Sequence, residues 1–234
     1  MKNNDEVKLL KELKNSINNA DYELVLKIRK RLTKANPSDS QYWLDYIHFT
    51  LDMYEYFNTD EWDNLLNGAI EACQKARKNI PEKYHSQLYV FEYKLITELI
   101  DFDISYYDKY EDEDLEALLN EAIRLRPDNV AAYKERANFY FSNDMREKAN
   151  SDYKMVEKLE ENSKNDSDLY IGKAANNELL NNYDEAISDY LKLFNSSEDK
   201  MIKIAACNSL IHIYKLSDNK ERINYYEEII ENLQ

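Results

Sequence analysis

Three histidines, two cysteines and one dense acidic run are the residues here whose types could do chemistry. Their spacing argues against each reaction in turn. His48, His85 and His212 are scattered, and none lies in an H-E-x-x-H pair or another ligand arrangement. Cys73 and Cys207 form no C-x-x-C and read as buried thiols of a reducing compartment. The acidic run from Asp101 to Glu116 opens like a calcium loop with Asp101, Asp103 and Ser105. It lacks the glycine that the loop's sharp turn requires, and its twelfth residue is Asp112 rather than a bidentate Glu. The run therefore reads as a solvated insertion between helices, with Asp112 and Asp114 at a helix N-terminus. Gly68 and Gly172, the only glycines, cannot build a phosphate cradle or a nucleophile elbow. No catalytic residue, cofactor or metal is expected, and the chain reads as a non-enzyme.

The formal net charge is -15, a field that repels nucleic-acid phosphates and anionic lipid. Neither nucleic acid nor membrane is expected as a partner; a basic or neutral protein or peptide is. Lys27, Arg29, Lys30, Arg31 and Lys34 make one segment locally basic, which the whole-chain charge marks as a solvated helix face. The stretch Met1–Lys14 is charged throughout and lacks a signal peptide's apolar run, and no segment approaches the roughly 18 apolar residues of a membrane span. A cytoplasmic protein is expected.

The elements that must position these residues are helices. With Gly at 2 and Pro at 3, a fold made of tight turns is disfavoured. The organising stretch runs from Asn129 to Asn162. There Tyr133, Arg136, Ala137 and Tyr140 precede an Asn143-Asp144 break, and Ala149, Tyr153 and Val156 follow it, one stripe on each of two helices. The same layout predicts helices over Val7–Ile17 and Asp21–Ala35, Ser40–Phe57 and Asp60–Asn79, and Tyr84–Ile104 and Asp114–Arg126. It continues over Tyr170–Leu180 and Tyr183–Phe194, then Met201–Leu216 and Glu221–Leu233. Pro37, Pro81 and Pro127 each fall 12 residues after Val25, Ala69 and Leu115, so all the proline of the chain sits at one repeat site. Asp144 with Glu147, Asn182 with Glu185, and Asp218 with Glu221 are placed to cap helices reciprocally.

These residues resemble the tetratricopeptide repeat family, whose unit is an antiparallel helix pair of about 34 residues with aromatic, small-residue and proline positions. Anchors Val25, Ala69, Leu115, Ala149, Ala186 and Ile223 are spaced by 44, 46, 34, 37 and 37 residues. The second and third units thus carry insertions, and their steps also fall in the range of HEAT-type repeats. Where the family prefers Gly for close helix approach, Leu13, Ile47, Phe91, Ala137, Ala174 and Ile211 stand. The resemblance implies an all-α, right-handed α-solenoid of about six antiparallel helix pairs in one domain, residues 1–234, with units at 5–37, 40–81, 84–127, 130–161, 167–197 and 201–234.

It further implies that the first helix of each pair lines a concave groove for an extended peptide or a partner helix. The residues assigned to that groove are His48, Asp52, Tyr89, Glu92, Lys134 and Asn138. Lys134 and Asn138 match the start of the carboxylate clamp found in some members, but Gly172 occupies the next clamp position, and Asn208 or Ser209 stands where a cation belongs. The function implied is that of a protein- or peptide-binding adaptor or chaperone. The alternative is a structural or regulatory module that self-associates through a convex aromatic surface; an RNA-processing role of the half-repeat type, which Trp43 and Tyr46 bring to mind, ranks below both.

Overall fold

A computed structural model describes residues 4–57, 62–160 and 167–234. Among them twelve α-helices and no strand are found. They are α1 (Asn4–Asn18), α2 (Tyr22–Ala35), α3 (Ser40–Met53), α4 (Trp62–Asn79), α5 (His85–Phe102), α6 (Asp112–Leu125), α7 (Val130–Ser142), α8 (Arg146–Leu159), α9 (Ser167–Leu179), α10 (Tyr183–Ser196), α11 (Lys200–Leu216) and α12 (Lys220–Leu233). This is the all-α repeat that the periodicity predicts. The expected start of the fourth helix at Asp60 and the end of the fourth unit at 161 lie outside the described residues. No described helix is long and apolar enough to cross a membrane.

Four of the six pairs turn in the same way. Ala20, Asp144, Asn181 and Asp218 all have positive φ, between 52° and 59°. In each turn the next residue's N–H reaches back five residues, as Met145 does to the Tyr140 carbonyl at 2.8 Å and Asn182 to Asn177 at 2.9 Å. This Schellman closure satisfies carbonyls that the helix end leaves bare. The expected reciprocal caps do not form: α8 and α10 begin without a side-chain cap bond, and α12 is capped by Asn219, which accepts from the Arg222 N–H at 3.1 Å. The reason is local. Asp144 and Asp218 are consumed in closing the preceding helix, so neither can cap the next.

The other two pairs contain the insertions. After α3 a 3-10 turn covers Tyr54–Tyr56, and after α5 another covers Ile104–Asp108. Between pairs, Asn36 and Arg126 are extended, with φ near -143° and -145°, the geometry that a following proline imposes. Asp39 then caps α3 by accepting from the Gln41 N–H at 3.0 Å.

The fold contains two compact units, Met1–Ala132 and Tyr133–Gln234, with the boundary inside α7. In the first, Leu9, Ile28, Leu32 and Tyr42 form one core cluster, and Val90, Ala122 and Ala132 another. The second is built on Tyr170, Ala174, Ala186, Tyr190, Cys207 and Leu210 with their neighbours. Anchors Val25, Ala69, Leu115, Ala149 and Ala186 are buried, and Ile223 is half-buried. Cys73 and Cys207 are buried and unpaired.

Candidate functional site

In the first unit, the side formed by first helices carries His48 and Asp52. Both are on α3, four residues apart, so one helical turn brings them together. His48 Nδ1 lies 2.7 Å from Asp52 Oδ2, and the two side chains are 60% and 55% exposed. The imidazole edge packs on Phe91 of α5, with ring centroids 5.6 Å apart. One turn further on, Tyr54 donates to Glu98 of α5. Burial raises the Tyr54 phenol well above its ordinary range, and the Glu98 carboxylate raises it further.

Tyr89 and Glu92 do not join them. Glu92 is buried, accepts from Gln74 Nε2 at 2.8 Å and is ion-paired with Arg77, both on α4. The Arg77 guanidinium also stacks over the Tyr89 ring at 4.1 Å. The groove assignment is corrected at this helix for a physical reason. α3 and α7 begin three residues after Pro37 and Pro127, whereas α5 begins four after Pro81, because the 3-10 turn Glu82–Tyr84 intervenes. The extra residue rotates α5 by about 100°. Buried Leu88, Glu92 and Leu95 therefore match buried Trp43, Ile47 and Thr50, and Glu92 takes Ile47's place instead of His48's. Tyr89 and Glu92 instead line an open cleft of about 390 Å³ with Lys109, Tyr110 and Asp114.

In the second unit, Lys134 and Asn138 are one turn apart on α7. Lys134 Nζ is 3.3 Å from Glu160, and Asn138 Oδ1 accepts from the Tyr153 hydroxyl at 3.0 Å. Burial raises that phenol to about 12, so it stays a donor. Gly172, which the resemblance set at the next clamp position, is crowded from outside its helix: a Cβ there would stand 2.5 Å from the Tyr153 hydroxyl. Two further groups share the first-helix side. Glu178 of α9 accepts from Tyr190 at 2.7 Å and holds His212 Nδ1 of α11 at 2.7 Å, with the His212 side chain 64% exposed.

Beneath this side lie ion pairs that the sequence reading did not draw. Arg136 grips Asp152 with two bonds of 2.7 and 2.8 Å. The corresponding residues of the next pair, Lys173 and Asp189, lie 3.2 Å apart. Lys173 also reaches Glu157 at 2.7 Å, and Lys192 bonds both carboxylates. Burial alone would raise the Glu157 carboxyl, but Lys173 and Lys192 together hold it below its ordinary value. The available signal was an opposite-charge pair sixteen residues apart, recurring at a step of 37. These groups tie first helix to second helix and leave no open coordination: no cluster of three or more His, Cys, Asp or Glu fit to hold a metal occurs among the described residues.

Comparison with known proteins finds likeness in fold. No protein-family model matches the chain, and no curated protein matches it in sequence. Among solved structures, it resembles TTC0263, described as a thermophilic TPR protein in Thermus thermophilus, with TM-score 0.58 and 18% identity over 88% of this chain and 99% of that one. It resembles pilF of Pseudomonas aeruginosa with TM-score 0.66 and 12% identity, over 97% and 91%. YrrB, described as a TPR protein with an unusual peptide-binding site, matches with TM-score 0.55 and 13% identity, over 87% and 93%.

Proposed function

We propose that this chain, a tetratricopeptide-repeat fold of paired helices, is a non-catalytic adaptor or chaperone that binds a protein segment on its first-helix faces. The observation that carries this reading is the ordering of exposed polar groups there. His48 is fixed by Asp52 and Phe91, and His212 by Glu178, itself fixed by Tyr190. Side chains already held in one geometry bind without the entropy loss that free ones suffer. The peptide-binding site named for the similarly folded YrrB supports the same reading.

Charge favours a basic or neutral partner, since the chain is at -15 and carboxylates and aromatic faces both accept cations. The two buried thiols support a reducing, cytoplasmic setting. The test is affinity capture with quantitative mass spectrometry, comparing the parent chain with His48→Ala/Asp52→Ala and Glu178→Ala/His212→Ala. The expected result is a common set of partners lost from one or both variants and retained by Glu71→Ala/Lys75→Ala, which removes an exposed ion pair on α4. Partners indifferent to both first-helix variants would overturn the reading.

A further inference from the structure

A second cleft of about 220 Å³ lies among α2, α3 and α4, lined by apolar Leu26, Tyr46, Phe57 and Leu65 with the Glu23–Lys27 pair and Lys30 at its edge. Leu26, Tyr46 and Phe57 are buried, so their exposed edges form a fixed apolar wall and not a loose surface. The charges around it are unequal in their freedom. On α2, Lys27 is paired with Glu23 at 3.4 Å, Arg29 with Asp45 at 3.6 Å and Arg31 with Glu12 at 3.9 Å. Glu71, the acid that Lys30 feels across the cleft, is itself held by Lys75 at 2.8 Å. Lys30 has no ion pair among the described residues, and its ammonium stands 6.0 Å from the Tyr46 ring centroid, at the outer limit of attraction.

Gly68 adjoins this cleft beside Lys30 and Tyr46. It lies in the interior of α4, where glycine costs about 1 kcal/mol relative to alanine. Packing does not demand it: a Cβ there would meet the Lys30 ammonium at 3.7 Å and the Tyr46 hydroxyl at 3.8 Å, both ordinary contacts. A longer side chain would grow into the space where these two polar tips converge. Tyr46 stays protonated, because burial pushes its phenol up to about 12. Beyond the Glu23–Lys27 pair, the site thus offers one further cation and one hydroxyl donor above an apolar floor with room for a single large side chain.

We propose that this cleft is a second docking site, distinct from the first-helix faces, for a partner segment in which a Leu or Phe side chain is flanked by a carboxylate. The apolar side chain fills the floor, and the carboxylate meets Lys30 Nζ and the Tyr46 hydroxyl. Its polarity is opposite to that of the first-helix faces, so the two sites select different segments.

The probe is a nine-residue acidic peptide with one central Leu between Asp residues, titrated into the isotope-labelled chain and followed by amide and methyl NMR shifts. Shifts are expected at Leu26, Leu65 and Gly68, and binding should weaken at least tenfold with Lys30→Glu or Gly68→Leu and with peptides in which Leu becomes Ala or Asp becomes Asn. Lys34→Glu, which changes the same net charge outside the lining, should weaken it far less, and His48→Ala/Asp52→Ala should leave it unchanged. Circular dichroism of each variant separates lost binding from lost fold. Absence of shifts at millimolar peptide, shifts confined to the first-helix faces, or equal weakening by Lys34→Glu and Lys30→Glu would overturn the proposal without touching the first-helix reading.

Discussion

Tyr153 of α8 lays its ring against Gly172 of α9 so closely that a Cβ on Gly172 would stand 2.5 Å from the hydroxyl and 3.0 Å from the ring carbon bearing it. The next pair repeats the contact with a different solution. There Ser209 stands where Gly172 stood, 37 residues on, beside Tyr190, which occupies the place of Tyr153. The glycine answers a steric demand made by a neighbouring helix.

Gly172→Ala should therefore destabilise the fold by about 1 to 3 kcal/mol, the cost of overpacking a rigid contact. Gly68→Ala, which meets nothing closer than 3.7 Å, should stabilise it by about 0.5 to 1 kcal/mol through helix propensity. Urea denaturation of both variants reads the opposite signs. Adding Tyr153→Phe to Gly172→Ala should recover part of the loss, because it removes the closest atom.

Tyr153→Ala should cost about 3 to 5 kcal/mol, the range for truncating a large aromatic in a core. The ring is 1% exposed and among the largest side chains so enclosed. A loss below about 1 kcal/mol would show that the second unit does not depend on this stripe.

Ala20 is the one residue among the four tight turns with neither glycine's freedom nor a polar side chain that tolerates a left-handed backbone, and its φ is 54°. Ala20→Gly should raise stability by about 0.5 to 1 kcal/mol by relieving that strain. The denaturation midpoint should move up with an unchanged slope.

Glu157 gives the acid side of the stability profile. Its folded carboxyl is held low by Lys173 and Lys192, so its contribution is complete above the unfolded value of 4.5 and is lost as pH falls through the folded value. Glu157→Gln should lower stability at neutral pH and flatten the decline below about pH 4.5. Thermal melts between about pH 7 and pH 3 check both, and an identical pH slope in the parent and the variant would contradict the assignment.

How much of this was legible in the sequence depended on what each residue's position had to satisfy. Anchors such as Val25, Ala69 and Ala149 were readable because complete burial forces small or apolar types at a fixed spacing. The prolines fixed helix ends for the same kind of reason. Glu92 was misplaced because one extra residue after Pro81 rotates a helix without altering its composition. The caps at Asp144 and Asp218 were misread because a positive φ leaves no mark on residue type when Ala, Asp and Asn all adopt it. Arg136 was placed on the stripe of its helix, but its pairing with Asp152, and that of Lys173 with Asp189, was not read, since sequence alone does not distinguish a buried ion pair from an exposed one.

The central claim is that the first-helix faces bind a protein segment, and the most direct measurement is calorimetric titration of a captured partner segment against the parent chain and three variants. The account predicts that His48→Ala/Asp52→Ala or Glu178→Ala/His212→Ala weakens binding at least tenfold, about 1.4 kcal/mol, while Glu71→Ala/Lys75→Ala leaves it unchanged. Undiminished binding by both first-helix variants, with loss in the α4 variant, would contradict it.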